Sequence, residues 1–137
     1  MSECLFCKIV AGEIPATMVY EDEQALAFLD INPVNFGHTL VVPKEHHKNV
    51  LEIAEGTLER LITRVQKVAR GVKDGTGADG IVVSTLSEAA AGQSVFHIHF
   101  HIIPRFESDG LRNWPHKTYK NQEEAAEVAE KIRTALG

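Results

Sequence analysis

The chain has 137 residues, of which 44% are apolar and 24% charged, and its formal net charge is −5. This length and this balance are typical of one globular domain with one hydrophobic core. The acidic excess disfavours a surface that follows a polyanion, so no nucleic-acid partner is expected. The sequence contains neither an apolar run of membrane-spanning length nor a signal-peptide pattern. We therefore expect a cytoplasmic protein without a membrane partner.

The first half of the chain predicts a short helix and three strands. Glycine and proline after residue 11 end the candidate helix, which contains Cys4 and Cys7. Two apolar, β-rich runs separated by a polar stretch are typical of a hairpin, and a turn-rich connection leads to a third run. The predicted elements are a helix at 4–11 and strands at 17–20, 25–29 and 38–43.

The second half predicts a long helix, two strands and a final helix. Apolar residues at helical spacing mark the long helix, and Asn121 with Glu124 forms a candidate capping box for the last one. Val128, Ala129, Ile132 and Leu136 would be its buried face. The elements are a helix at 57–73, strands at 80–85 and 95–104, and a helix at about 121–136. Strands that follow one another without crossover helices predict an α+β fold with a five-stranded antiparallel sheet.

The strand at 95–104 contains the most informative pattern of the sequence. His97, His99 and His101 alternate with apolar residues, so the three imidazoles would share one face of an extended strand. One alternative is a solvated polar face of an edge strand, although such faces seldom collect three histidines. Another is a three-histidine metal site, although positions i and i+2 on one strand usually supply only two ligands. A site that binds and attacks a phosphate uses all three imidazoles best.

A neutral imidazole is a good nucleophile when one ring nitrogen is free and the other keeps its proton. The backbone carbonyl of His97 is a candidate acceptor for the proton of His99. His101 would then donate to a phosphate oxygen and stabilise its developing charge. The preceding segment at 90–94 offers further N–H groups for the same phosphate.

The pattern His-φ-His-φ-His-φ-φ, in which φ is apolar, resembles the signature of the histidine triad (HIT) superfamily. The flanking segments at 91–95 and 103–105, together with 6–10 and 37–44, are similar to the bacterial Hit and Hint branches. The resemblance covers about residues 4–106 and implies a single HIT domain over 1–137, with a HIT-like fold and a homodimeric assembly.

The resemblance implies a role for several residues. His99 would be the nucleophile, His101 the donor to the α-phosphate and His38 a fourth histidine that supports the nucleophile. Gln93 and Ser94 would contact the phosphate or the leaving group. Asp30 would accept the ribose hydroxyls, although an aspartate that starts a turn is an equal alternative. The implied base pocket, for which plain core packing is the alternative, consists of Phe6, Ile9, Ile14, Phe28 and Ile31.

The resemblance also implies a structural zinc ion. Cys4 and Cys7 combine with His46 and His97 into a Cys₂His₂ set, which suits tetrahedral Zn²⁺. Some branches of the superfamily bind zinc at similar positions. The alternative is a pair of free thiols.

The function that the resemblance implies is hydrolysis of a purine nucleoside phosphoramidate, of the adenosine 5'-monophosphoramidase type, through a nucleotidyl-histidine. One alternative is a dinucleoside polyphosphate hydrolase, and one of another class is a non-catalytic, zinc-stabilised nucleotide-binding scaffold. Residues 85–89 replace the Asn-rich loop of many relatives, and Glu88 there would disfavour long polyphosphates. Trp114 either reaches the partner protomer's site or packs on the surface.

Overall fold

A computed structural model describes residues 3–137 of the chain. The helices and strands follow one another in the predicted order. They are α1 (Leu5–Val10), β1 (Met18–Glu21), β2 (Ala25–Leu29), β3 (Thr39–Pro43), α2 (Glu55–Thr76), β4 (Gly80–Ser84), a 3₁₀ turn (Ala89–Ala91), β5 (Phe100–Arg105) and α3 (Gln122–Leu136). No helix within the described residues is long and apolar enough to cross a membrane.

The five strands form one antiparallel sheet in the order β1-β2-β3-β5-β4. This confirms the predicted α+β class and the strand number. Strand β5 lies inside the sheet, with His101 opposite Leu40 of β3 on one side and Ser84 of β4 on the other. His101 therefore has a paired strand on each side.

Different helices pack on the two faces of the sheet. Helix α2 packs on one face, where Leu61 and Val65 are buried against Val41, Phe100 and Ile102. Side chains alternate along a strand, so residues next to these point to the opposite face. There α1 packs over a second apolar cluster, which we call the α1 cluster, formed by Phe6, Ile9, Leu26, Phe28, Leu40 and Val42. His101 lies between Phe100 and Ile102 and so belongs to the face that carries α1.

The predicted strand at 95–104 is wrong over its first five residues. Regular pairing begins only at Phe100, and residues 95–97 form a bend. The N–H group of Ile98 donates to the carbonyl oxygen of His47 at 2.7 Å, in the connection between β3 and α2. Because the N–H group of Ile98 bonds to this connection, the backbone before Phe100 does not pair with β3 or β4.

Helix α3 has the predicted bounds and cap, since the Asn121 side chain accepts the N–H group of Glu124 at 2.9 Å. The predicted buried face is wrong, because no residue of α3 is buried and Ile132 and Leu136 are 56% and 82% exposed. Helical periodicity shows that a helix has an apolar stripe, but it does not show what covers it.

Candidate active site and metal centre

His99 has the protonation geometry of a nucleophile. Its Nδ1 lies 2.9 Å from the carbonyl oxygen of His97, and a carbonyl only accepts, so Nδ1 carries the proton and donates. Nε2 therefore keeps its lone pair. Burial lowers the pKa of His99 below the ordinary value of 6.5, which favours the neutral ring. The Phe6 ring meets His99 edge-on, with 5.0 Å between the ring centroids.

His38 and His101 form a directed pair of hydrogen bonds. The N–H group of Val34 donates to Nδ1 of His38 at 3.0 Å, so the neutral His38 ring carries its proton on Nε2. That Nε2 lies 3.0 Å from Nδ1 of His101 and donates to it, which leaves the His101 proton on Nε2. Burial lowers the pKa of both rings, and with the nearby His99 and His38 it lowers the pKa of His101 to about 4. His101 is thus a neutral ring whose free edge is a donor.

Asp30 lies at the start of a turn and beside His38. Its Oδ1 accepts the N–H group of Asn32 at 2.8 Å, as in a turn that begins at an aspartate. Its Oδ2 lies 3.6 Å from Nε2 of His38, at the end of β2. These three groups, Asp30, His38 and His101, are close enough to hold a metal ion. The proton on Nε2 of His38 makes this set unsuitable for coordination, because a ligand nitrogen needs a free lone pair.

All hydrogen-bonding positions of the Gln93 side-chain amide are occupied by partners within the protein. Its Nε2 donates to the carbonyl oxygens of Lys48 at 2.7 Å and Val95 at 3.1 Å. Its Oε1 accepts from the Glu88 N–H group at 2.8 Å and from Nδ2 of Asn49 at 3.2 Å. The amide has no capacity left for a phosphate or a leaving group. This differs from the sequence-based expectation, and the geometry instead makes Gln93 a positioning residue for the loop at 88–95.

Ser94 and the two residues after it present unused backbone donors. Ser94 is exposed, and the N–H groups of Ser94, Val95 and Phe96 make no hydrogen bond to any group within residues 3–137. Consecutive free N–H groups in a bend form a concavity suited to an anion. We call these three residues the phosphate loop.

The residues expected to form the base pocket do not all lie together. Phe6, Ile9 and Phe28 are buried in the α1 cluster, and Ile14 packs against it. These four positions satisfy the core-packing alternative, while the Phe6 ring also borders His99. Ile31 is 91% exposed and stands outside this cluster.

The four expected metal ligands converge at one point. Nε2 of His97 donates to the Pro43 carbonyl oxygen at 2.8 Å, so its Nδ1 is free to act as a ligand. That Nδ1 lies 3.4 Å from Sγ of Cys4, 3.5 Å from Sγ of Cys7 and 3.2 Å from Nδ1 of His46. Burial lowers the pKa of His97 to about 4, which keeps this lone pair free.

These distances fit the edges of a tetrahedron around zinc. Zn–N and Zn–S bonds of ordinary length predict N···N edges of about 3.3 Å and N···S edges of about 3.6 Å. The observed N···S distances include 3.4 Å between His46 Nδ1 and Cys7 Sγ. The Cys7 N–H group donates to Cys4 Sγ at 3.3 Å, which holds this sulfur at the start of α1.

Sequence reasoning missed Asn49, whose side chain is wholly buried. Its Nδ2 donates to Glu88 Oε2 at 3.1 Å as well as to Gln93, and its Oδ1 accepts the Leu51 N–H group at 3.0 Å. Asn49 thus ties the connection that carries His46 to the loop before the phosphate loop. No sequence pattern marks it, because all of its partners except Leu51 are distant in the chain.

The chain is similar to proteins of one family. The profile of the HIT domain matches residues 11–108. An uncharacterized HIT-like protein of Methanocaldococcus jannaschii is 53% identical over 107 residues, which are 78% of this chain and 82% of that protein. A crystal structure of a Streptococcus mutans protein superposes with a TM-score of 0.94 at 44% identity, covering 100% of this chain and 87% of the other.

Three further relatives have names that describe chemistry or a ligand. An adenosine 5'-monophosphoramidase of Schizosaccharomyces pombe is 38% identical and covers 95% of this chain and 98% of its own length. An adenylylsulfatase of Arabidopsis thaliana is 35% identical, covering 98% and 70%. A zinc-bound histidine triad protein of Mycobacterium smegmatis has a TM-score of 0.77 at 36% identity, covering 98% and 96%. By the extent of these matches the chain belongs to the HIT family of nucleotide hydrolases and transferases.

Proposed function

We propose that the chain hydrolyses purine nucleoside phosphoramidates, with an AMP-like nucleotide as the part that is retained on the enzyme. The observation that carries this proposal is the set of hydrogen bonds that assigns opposite tautomers to two neighbouring rings. Nε2 of His99 has a free lone pair, whereas Nε2 of His101 has a proton to donate. A nucleophile beside a donor is what attack on a phosphoryl group requires.

In the proposed reaction, Nε2 of His99 forms a bond to the α-phosphorus and the P–N bond of the substrate breaks. The leaving amine takes up one proton from solvent in this step. Water then attacks the nucleotidyl-histidine, the P–N bond to His99 breaks, and the attacking water returns one proton to solvent. His101, the Ser94 hydroxyl and the N–H groups of the phosphate loop neutralise the charge on the phosphoryl oxygens. The net reaction consumes one water and releases the monophosphate and the amine.

Two of the named relatives support the part of this scheme that concerns the phosphorus. One is a phosphoramidase and the other an adenylylsulfatase, so by name their leaving groups differ while the adenylyl group is common. The alternative within the enzyme class is a dinucleoside polyphosphate hydrolase, which would use the same nucleophile. The remaining alternative is a nucleotide-binding scaffold without turnover.

We also propose that Cys4, Cys7, His46 and His97 hold a structural Zn²⁺ ion, which suits their donor distances and the zinc-bound relative. All four positions around the ion would be filled by protein, so it would contribute stability and no chemistry. His97 would belong to both the metal site and the catalytic site. Its ring contacts the Cys4 thiol, while its carbonyl oxygen accepts the hydrogen bond from His99 Nδ1. Contact of Asp30 with the ribose, contact of the α1 cluster with the base and the homodimer stay predictions.

The decisive experiment is to trap the intermediate. The protein is mixed with an adenosine phosphoramidate, quenched within one turnover and digested, and the peptides are analysed by mass spectrometry. We expect an adenylyl adduct on the peptide that contains His99, and no adduct in a His99→Gln protein. Turnover without any adduct on His99 would contradict the mechanism, and nucleotide binding without turnover would favour the scaffold.

A further inference from the structure

Glu88 lies in the segment that joins β4 to the phosphate loop, and none of the steps above uses its side chain. The segment begins beside the nucleophile, because the Thr85 hydroxyl donates to the carbonyl oxygen of His99 at 2.8 Å. It ends at Gln93, the residue directly before the phosphate loop. A change in its conformation would therefore reach both the attacking residue and the backbone donors for the phosphoryl group.

The backbone of Glu88 has a conformation that is usual only for glycine. Its φ is 78° and its ψ is 155°, and it is the only residue other than glycine with a positive φ among residues 3–137. The Cβ atom of an L-residue crowds the neighbouring peptide groups there, so the backbone is strained. The hydroxyl of the adjacent Ser87 is buried and has no hydrogen-bond partner within the same range. Contacts elsewhere must offset these two unfavourable features.

The strained backbone holds Gln93 by two hydrogen bonds. The Glu88 N–H group donates to Oε1 of Gln93 at 2.8 Å, and the Glu88 carbonyl oxygen accepts the N–H group of Gln93 at 3.2 Å. Nε2 of Gln93 in turn donates to the carbonyl oxygen of Val95 at 3.1 Å, inside the phosphate loop. The direction of the Glu88 peptide groups thus positions the phosphate loop through the side chain of Gln93.

Two side chains hold the Glu88 carboxylate. Nδ2 of Asn49 donates to Oε2 at 3.1 Å, and Nζ of Lys48 lies 3.3 Å from the same oxygen. The ion pair contributes little, since the Lys48 and Glu88 side chains are 39% and 48% exposed and Lys48 also meets Glu52 at 3.8 Å. The bond from Asn49 matters more, because Asn49 is wholly buried and a buried donor is costly without an acceptor.

We propose that Glu88 is a positioning residue for the proposed reaction. Its carboxylate oxygen, bound to Asn49, holds the residue in a glycine-type conformation, and this conformation keeps the phosphate loop in place for a phosphoryl group. The inference rests on the proposed function, because it needs a nucleotide whose phosphoryl oxygens bind the loop.

The test uses three substitutions at position 88 and two ligands. Calorimetry measures the affinity for AMP and for adenosine, and the ratio of the two affinities reports the contribution of the phosphoryl group. Glu88→Ala removes the carboxylate and keeps the strain, so the ratio should fall about five- to tenfold, in proportion to the fraction of molecules with a competent loop. Glu88→Gln keeps an acceptor for Asn49 and Glu88→Gly removes the strain, so both should stay within about twofold of the wild-type protein.

The value of kcat/KM for an adenosine phosphoramidate should follow the same order among the variants. Glu52→Ala is the matched control, because the Glu52 carboxylate also pairs with Lys48 but does not belong to this segment. Its ratio of affinities should equal that of the wild-type protein. Thermal unfolding of each variant checks that it is folded.

The outcomes separate this inference from the proposed function. If the wild-type protein neither binds AMP more tightly than adenosine nor hydrolyses the phosphoramidate, the proposed function fails. If it does both and Glu88→Ala keeps the ratio, the inference is overturned while the function stands, even where the midpoint of unfolding falls. An equal loss in Glu88→Gly and Glu88→Ala would show that the side chain does not act through the backbone conformation. A loss in Glu88→Gln as large as in Glu88→Ala would overturn the assignment to the Asn49 bond.

Discussion

His97 and His99 are two residues apart, yet their rings belong to different sites. His97 donates from Nε2 to the Pro43 carbonyl, so its Nδ1 points at two thiols and the His46 ring. His99 donates from Nδ1 to the His97 carbonyl, so its Nε2 is free. The residue type is the same, and the acceptor for the ring proton decides whether the histidine suits a metal or a phosphorus atom.

The metal ligands and the His38–His101 pair also differ in the elements that hold them. The metal cluster, formed by Cys4, Cys7, His46 and His97, joins α1, the connection after β3 and the bend before β5. His101 lies on β5, and His38 comes directly before the neighbouring strand β3. The first cluster depends on loops and is expected to need an ion to hold them, while the second is held by the sheet. The following variants test this difference.

We expect the largest effect from His99→Ala or His99→Gln. Loss of the nucleophile should reduce turnover by on the order of 10⁴-fold or more, because no other group can form the covalent intermediate. Nucleotide affinity, measured by calorimetry, should stay within about tenfold, or ~1.4 kcal/mol. Turnover that persists in either variant would exclude His99 as the nucleophile.

We expect the next effect from the double change Cys4→Ser and Cys7→Ser. The protein should lose its zinc, measured by metal analysis after purification without added metal, and its midpoint of thermal unfolding should fall. Turnover should fall by about tenfold, since the ion would only orient the His97 segment. His47→Ala is the control, because its ring bonds to Glu45 and lies outside the donor set. Equal metal content in the double variant would contradict the proposed ligands.

A smaller effect is expected from His38→Ala. Without the donor on Nε2 of His38, Nδ1 of His101 loses its hydrogen bond and the ring can adopt the opposite tautomer. We expect kcat to fall about two- to tenfold, the equivalent of one lost hydrogen bond, with KM nearly unchanged. A change confined to KM would instead place His38 in ground-state binding.

The smallest change is expected from pH. Burial is the main cause that lowers the pKa of His101 to about 4, and it also lowers the pKa of His99 from its ordinary value of 6.5, so both rings are neutral at neutral pH. The acid limb of kcat/KM should therefore lie below 6.5. Unfolded histidines take up protons near 6.5, so acidification from that value towards 4 should also lower the free energy of unfolding. An acid limb centred above 6.5 would contradict the neutral network, and metal content measured at each pH controls for loss of zinc.

The sequence by itself was sufficient for the order of the elements and the α+β class, which depend on local periodicity. The four clustered donors were implied by the resemblance of the sequence to a family. Only the tertiary structure decided the bend at 95–97, because it arises from a hydrogen bond between Ile98 and the distant His47. The same holds for Gln93, whose amide is taken up by partners such as Lys48 and Asn49 more than forty residues away.

The sequence likewise did not predict that the apolar stripe of α3 is exposed, nor which tautomers the three site histidines adopt. A helical repeat specifies an apolar face, and a histidine spacing specifies which rings share a region. What covers the face, and which nitrogen holds each proton, depend on atoms brought near by folding, such as the N–H group of Val34 and the carbonyl of Pro43. Sequence determines local pattern through chain geometry, while hydrogen-bond partners across the fold are fixed only by packing.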